Sequence, residues 1–188
     1  MRDTIRPLPE DAIIKAAFEL LTDDPTASLG QIAKRAGVGR ATLHRYFSGR
    51  EDLMLALSKT ALREMDEAAE RACTDAKSHS DALRLSLEAL IPLGDRYRFL
   101  SRESSEDHPD IASEMERQQA ETQTMVEGAK DEGFFAPSIP TAWIVQAYDH
   151  MLYAAWESVI AGEATPKQAA TLAWQTLTQG LGADKNDR

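Results

Sequence analysis

Apolar residues recur along this chain at intervals of three and four, and nowhere in the two-residue alternation that marks a strand. Ile13, Ile14, Ala17, Phe18 and Leu21 form one such stripe, behind Pro7, Pro9, Glu10 and Asp11, which suit the first turn of a helix. The segment 22–25 ends it. Ser28 and Gln31 have the spacing of a capping box, and they predict a second helix with Ile32, Ala33 and Ala36 facing inward. Gly37 closes that helix, because glycine takes up positive φ without a Cβ penalty. A third helix follows over about 40–47, burying Leu43 and Phe47. Ser48 and Glu51 repeat the capping-box spacing and start a long helix through Leu53, Met54, Leu57, Ala61 and Met65 to about residue 73.

Further helices are expected near 79–94, 96–104 and 109–132, the last ended by Gly133. After the loop FFAPSIP, with its two prolines, a helix over 141–161 ends at Gly162. Thr165, Pro166, Lys167 and Gln168 make a further capping box with proline in the first helical position, opening a last helix to about residue 181. There is no internal repeat or low-complexity tract, and the tail ADKNDR reads as frayed. The predicted class is all-α.

Charge divides the chain in a way the periodicity does not. The formal total is −10, yet residues 1–60 hold nine Lys/Arg against eight Asp/Glu, and the remainder holds 12 against 23. Between residues 25 and 50 lie Lys34, Arg35, Arg40, Arg45 and Arg50, with no acidic residue. A cationic face on an acidic protein points to a polyanion as partner, while the acidic remainder disfavours unspecific coating of nucleic acid. With 188 residues, 43% of them apolar, the chain is long enough to bury a sizeable core, so disorder is not expected. The single cysteine, Cys73, excludes an internal disulfide; its spacing with Ala69, Ala72 and Ala76 reads as a packed thiol. No apolar run approaches the ~20 residues that span a bilayer. The first residues, MRDTIRPLPE, lack a secretory core. A cytoplasmic protein without a membrane segment is expected.

A short helix, a glycine turn and a second short helix describe any helical hairpin. What such a hairpin leaves unexplained is why the second helix offers Arg40, Thr42, His44 and Arg45 without one carboxylate. A helix that enters a DNA groove explains it, because carboxylates near phosphate cost binding while arginine bonds guanine bidentately. The run IAKRAGVGRATLHRYFSGREDL resembles the DNA-binding signature of the tetracycline-repressor (TetR) family of bacterial transcriptional regulators, over residues 10–57. Beyond that run, the chain agrees with the family in length, helical content and helix order.

The resemblance implies an N-terminal helix-turn-helix DNA-binding domain over 1–49. It also implies a C-terminal helical bundle over 50–188 for ligand binding and dimerisation. Gly39, Arg40, Ala41, His44 and Arg45 then lie where the family's third helix approaches base edges. Ser28, Thr42, Tyr46 and Arg50 lie where phosphates are held, and Ile32, Ala36, Val38, Leu43 and Phe47 make the small domain's core. Arg50 also sits in the first turn of a helix, where free N–H groups favour an anion. Two departures stand out. His44 and Tyr46 exchange the aromatic and imidazole positions the family often has, and Leu29 and Gly30 stand where a second-helix side chain often touches DNA. More weight then falls on Arg40 and Arg45, with Arg40 either reading a base or holding a phosphate. Arg2 and Arg6 are either a minor-groove arm or a disordered terminus.

The acidic remainder has the apolar surface of a bundle in Leu83, Leu87, Leu90, Ile91, Leu93, Met115, Met125 and Val126. Tyr97, Phe99, Trp143, Tyr148 and Tyr153 are candidate ligand-binding residues for a small apolar or amphipathic effector, with packing as the plainer reading of each. The last two helices are the expected homodimer interface. Ala142, Val145, Ala154, Ala155, Ala169, Ala170 and Ala173 would permit close approach, and Leu152, Leu172 and Leu177 would fill the seam. Dimerisation fits a palindromic operator in double-stranded DNA, since one short helix reads few bases.

An enzyme is not expected, and no cofactor is called for. His44, His79, His108 and His150 fall at no metal-ligand spacing. The carboxylates Glu103, Glu106, Asp107 and Asp110 read as a solvated stretch beside a helix N-terminus. The expected function is a repressor released from its operator by a small molecule. The alternative is a helical adaptor, or a general DNA-binding protein without an effector.

Overall fold

The computed structural model describes residues 8–102 and 108–181. Arg2, Arg6, Glu103, Glu106, Asp107 and the tail ADKNDR lie outside the described residues. Nine α-helices occur among those described: α1 (Pro9–Asp23), α2 (Leu29–Arg35), α3 (Arg40–Tyr46), α4 (Arg50–Cys73), α5 (His79–Leu90), α6 (Gly94–Arg102), α7 (Pro109–Asp131), α8 (Thr141–Ile160) and α9 (Pro166–Leu181). The class is all-α, as the periodicity predicts. None of the described helices is long and apolar enough to cross a membrane.

The helix boundaries follow local chemistry. Ser28 and Gln31 cap α2 reciprocally, and Thr165 and Gln168 do the same for α9. Gly37, at φ +68°, ends α2 by sending the Val38 N–H back to the Ala33 carbonyl (3.0 Å) and its own to Lys34 (3.2 Å). Two expectations shift. The N–H and hydroxyl of Ser48 go to Asp52, not Glu51. The reason is that α4 begins at Arg50, which makes Asp52 its third residue. The stretch 79–94 breaks at Pro92, which has no N–H to give, so α5 stops at Leu90 and a 3₁₀ turn (Ile91–Leu93) leads into α6.

The chain packs as two units. The first holds Met1–Leu62 with Asp95–Ala112, and the second holds Arg63–Gly94 with Ser113–Arg188. In the first, Ile13, Ala17, Phe18 and Leu21 of α1 meet Ile32 and Ala33 of α2, Leu43, Phe47, and Leu53, Met54, Leu57 and Ala61 of α4. Ala36 and Val38 pack partly buried against them. Phe99 of α6 joins this core, its ring edge-on to Phe18 at 5.5 Å, while Arg96 covers another side of Phe18 at 4.1 Å. Packing therefore divides the chain elsewhere than after residue 49, because α4 completes the core of α1–α3 and α6 returns to it.

In the second unit Leu83, Leu87, Ile91, Val126, Phe135, Ile144, Tyr148 and Trp156 are buried. Tyr148 Oη donates to the Leu83 carbonyl and Trp156 Nε1 to the Leu90 carbonyl, each at 3.0 Å, so α8 is tied to α5 at two points. Helices α8 and α9 form a hairpin turned at Gly162 (φ +74°). The small-residue set corrects the sequence reading. Val145, Leu152, Ala155, Ala169, Ala170, Ala173 and Leu177 are buried within the chain itself. Of the residues expected to meet a partner, only Ala142, Ala154 and Leu172 are exposed.

Candidate nucleic-acid interface

Helix α3 owes its orientation to Leu43 and Phe47, which bury one side in the core of the first unit. A helix so short then has its remaining residues outside by periodicity alone. Gly39, Arg40, Ala41, His44 and Arg45 are exposed, whereas Thr42 and Tyr46 are half-buried. Arg45 lies over the Tyr46 ring at 5.3 Å, a stack that supports its guanidinium on one side. Arg40 makes no hydrogen bond or ion pair with a described residue, and its guanidinium lies beside Gly30 of α2, in the space a side chain there would take.

Two of the residues expected at phosphates, Ser28 and Arg50, are already engaged within the chain. The Ser28 hydroxyl donates to Gln31 Oε1 at 2.7 Å and accepts the Gln31 N–H at 3.3 Å. Arg50 donates to the carbonyls of Ala27 and Pro25, each at 2.6 Å, clamping the start of α4 to the loop between α1 and α2. Three of its five N–H groups remain for another acceptor. Asp24, in the same loop, is held below the usual carboxylate range first by the Thr26 hydroxyl and then by the Thr26 N–H, with a smaller contribution from Arg50. Of the other cations, Arg35 is paired with Glu19 at 2.7 Å. Sixteen residues separate that pair, and no local pattern announces it. The free cationic face is therefore narrower than five residues: Lys34, Arg40 and Arg45, with His44 between the two arginines of α3.

The comparisons with known proteins meet this geometry at the same place. Residues 13–57 match the family described as "Bacterial regulatory proteins, tetR family". Over 172 residues the chain is 33% identical to the HTH-type transcriptional repressor LfrR of Mycolicibacterium smegmatis, which spans 90% of this chain and 88% of that protein. The chain belongs to the TetR family. Its helix-turn-helix is α2, the turn at Gly37, and α3, and it is a DNA-binding transcriptional regulator of that family. The crystal structure of TetR-like LfrR from Mycobacterium smegmatis in complex with proflavine aligns at a TM-score of 0.78 and 30% identity, covering 92% of this chain and 96% of that one. The ketosteroid regulator KstR2 of Mycobacterium tuberculosis aligns at 0.81 over 95% and 97% of the two chains, but at 14% identity it shares the TetR fold alone.

The five aromatic ligand candidates lie on two helices, Tyr97 and Phe99 on α6 and Trp143, Tyr148 and Tyr153 on α8. Tyr97 and Phe99 fall in the first packing unit, where Phe99 is core. Trp143, Tyr148 and Tyr153 fall in the second, five residues apart along α8. Five residues turn a helix by roughly 140°. Tyr148 accordingly points into the unit, whereas Trp143 and Tyr153 stand on the far face, 64% and 44% exposed. The aromatic with a polar edge that does accompany Tyr148 inside is Trp156.

Asp149 follows Tyr148 on α8. It is accessible by area, yet protein crowds its carboxyl on most sides, and this desolvation pushes it up to about 6 from an ordinary 3.8, with His150 opposing. A carboxyl raised in the folded state binds its proton more tightly there than in the unfolded chain. Stability from this group therefore falls as pH rises from about 4 to about 6. Asp149→Asn is expected to melt like the parent near pH 3.5 and modestly higher at pH 7, modestly because solvent screens so accessible a group. A melting difference that does not change with pH would remove this assignment.

Proposed function

We propose that the chain is a homodimeric repressor that holds a palindromic operator in double-stranded DNA and lets go when a small amphipathic molecule binds its second unit. It acts in the cytoplasm, by binding alone, with no chemical step. The observation that carries this reading is the outer face of α3, with Arg40, Ala41, His44 and Arg45 exposed and no carboxylate anywhere from residue 25 to 50. In this reading Arg40 and Arg45 read base edges in the major groove, Gly39, Ala41 and His44 approach them, and Ser28, Thr42, Tyr46 and Arg50 hold phosphates. Arg50 does so with the donors its loop clamp leaves over.

The twin recognition helix comes from a second copy docked on α8 and α9. Trp143, Tyr153, Ile160 and Leu172 support this, exposed by 40% or more on helices whose opposite faces are buried. Support for the effector class comes from the relative LfrR, solved with proflavine, a flat aromatic molecule, and from Tyr148 and Trp156 inside the second unit. The effector favours an arrangement of the two recognition helices that misses successive grooves. A ligand with equal affinity for both arrangements would shift nothing.

Selection of bound fragments from a random DNA pool tests the first part. A palindrome with half-sites about one duplex turn apart is expected. Enrichment of no sequence would favour a general DNA-binding protein, and no salt-dependent binding at all would favour an adaptor. On the selected operator, Arg40→Ala should lose about 1–3 kcal/mol of discrimination at one base pair in each half-site. Equal weakening on every sequence would move Arg40 to the phosphates. Proflavine titrated into the complex tests the second part, with release of labelled DNA expected. Unchanged operator binding together with unchanged tryptophan fluorescence would exclude flat aromatic molecules of this kind.

A further inference from the structure

Gly30 has no local reason to be glycine. It lies inside the first turn of α2, where glycine weakens a helix relative to alanine. Its φ is not positive, so a residue of any type could take its backbone conformation. A side chain at this position would meet Arg40 first. An ideal Cβ would come within 2.9 Å of Arg40 Nη2, 3.2 Å of Nε and 3.3 Å of Cζ, and these are the three nearest heavy atoms. Three guanidinium atoms, with the Nε–Nη2 edge nearest, therefore occupy the space that a side chain at position 30 would need. No carboxylate or carbonyl holds Arg40 there, and its side chain is exposed.

We propose that Gly30 is a positioning residue for Arg40: the absence of a side chain there leaves the space in which the guanidinium takes the direction that meets a base edge, and the two residues act as one unit in choosing the operator. Orientation matters for arginine more than for lysine, because its fork bonds a guanine through two parallel N–H groups only when the plane is correctly aimed. Any side chain at position 30 displaces the guanidinium by a few tenths of an ångström or more. Arg40 is flexible enough to yield without cost to the fold, but its aim changes. The inference rests on the reading of Arg40 as a base contact.

The test is a double-mutant cycle on the full-length protein. Gly30→Ala, Arg40→Ala and the double variant are compared with the parent on the selected operator and on operators changed at each position in turn. Gly30→Ala is expected to melt at or above the parent temperature, since alanine favours the helix. It should nevertheless lose discrimination at the Arg40-dependent base pair by about tenfold, and lose nothing more when Arg40 is already alanine. If Arg40→Ala changes discrimination at no base pair, the reading of Arg40 fails, and this inference with it. If Arg40→Ala does change it but Gly30→Ala leaves it intact, or is equally damaging in both backgrounds, Gly30 does not act through Arg40. A lowered melting temperature in both backgrounds would likewise overturn the proposal, by assigning Gly30 to the fold.

Discussion

Leu172→Glu is expected to turn the dimer into a monomer at micromolar concentration and to abolish tight operator binding, while leaving the helical content of each chain unchanged. Leu172 is 59% exposed on α9 and is absent from the chain's own core, so a carboxylate there disturbs no packing within one protomer. In a twofold interface the change occurs twice. Each leucine lost from a buried seam removes about 1.5–3 kcal/mol, and an unpaired carboxylate adds to that. The two sites together weaken association by roughly a thousandfold or more. Half of a palindrome cannot compensate, because one α3 contacts too few bases to distinguish an operator from the rest of a genome. Sedimentation at several concentrations and operator titration check both parts. A Leu172→Glu protein that remains dimeric and binds as before would place the subunit contact on another surface, and the exposed strip of Trp143, Tyr153 and Ile160 would need a different partner.

Phe18→Ala should be the most damaging single change in the first unit. Phe18 is 1% exposed; Phe99 meets its ring edge-on, and the Arg96 guanidinium covers another side. Truncation leaves a cavity at the centre of a small core and strips both of these contacts at once, at about 3–5 kcal/mol. For a unit of this size that corresponds to a midpoint lowered by at least roughly 10 °C. Phe18→Leu retains most of the volume but neither the edge-on contact nor the cation contact, so it should fall between the two. Calorimetry or circular dichroism on all three proteins measures the order. If leucine proved as costly as alanine, the aromatic contacts with α6 would dominate over volume; if alanine cost less than about 1 kcal/mol, Phe18 would not be the centre of this core.

How far the chain could be read without coordinates depends on the reach of each interaction. Capping boxes at Ser28 and Thr165, glycine ends at Gly37, Gly133 and Gly162, and the stripe through Ile13, Phe18 and Leu21 all involve partners within a few residues. Helical period and cap chemistry therefore announce them. Pro92 was equally legible as a break, since a missing N–H is a property of the residue itself. The fan of Trp143, Tyr148 and Tyr153 follows from their spacing too: five residues put successive side chains on different sides of one helix. The candidate DNA face could be read because its signal is the absence of carboxylates over a continuous stretch.

The amino-acid order by itself determined an all-helical protein, where nearly every helix begins and ends, and that α3 turns a cationic side outward. Only the tertiary structure decided which of those cations are free. Glu19 reaches Arg35 across 16 residues and Arg50 gives two of its five N–H groups to loop carbonyls, while Arg40 pairs with no described residue. It likewise decided that Ala155, Ala169, Ala170 and Ala173 are buried within their own chain, and that Phe99 belongs with Phe18. These pairings join groups far apart in the chain, whose meeting depends on how whole helices settle against one another, and no periodicity within a single helix encodes that arrangement.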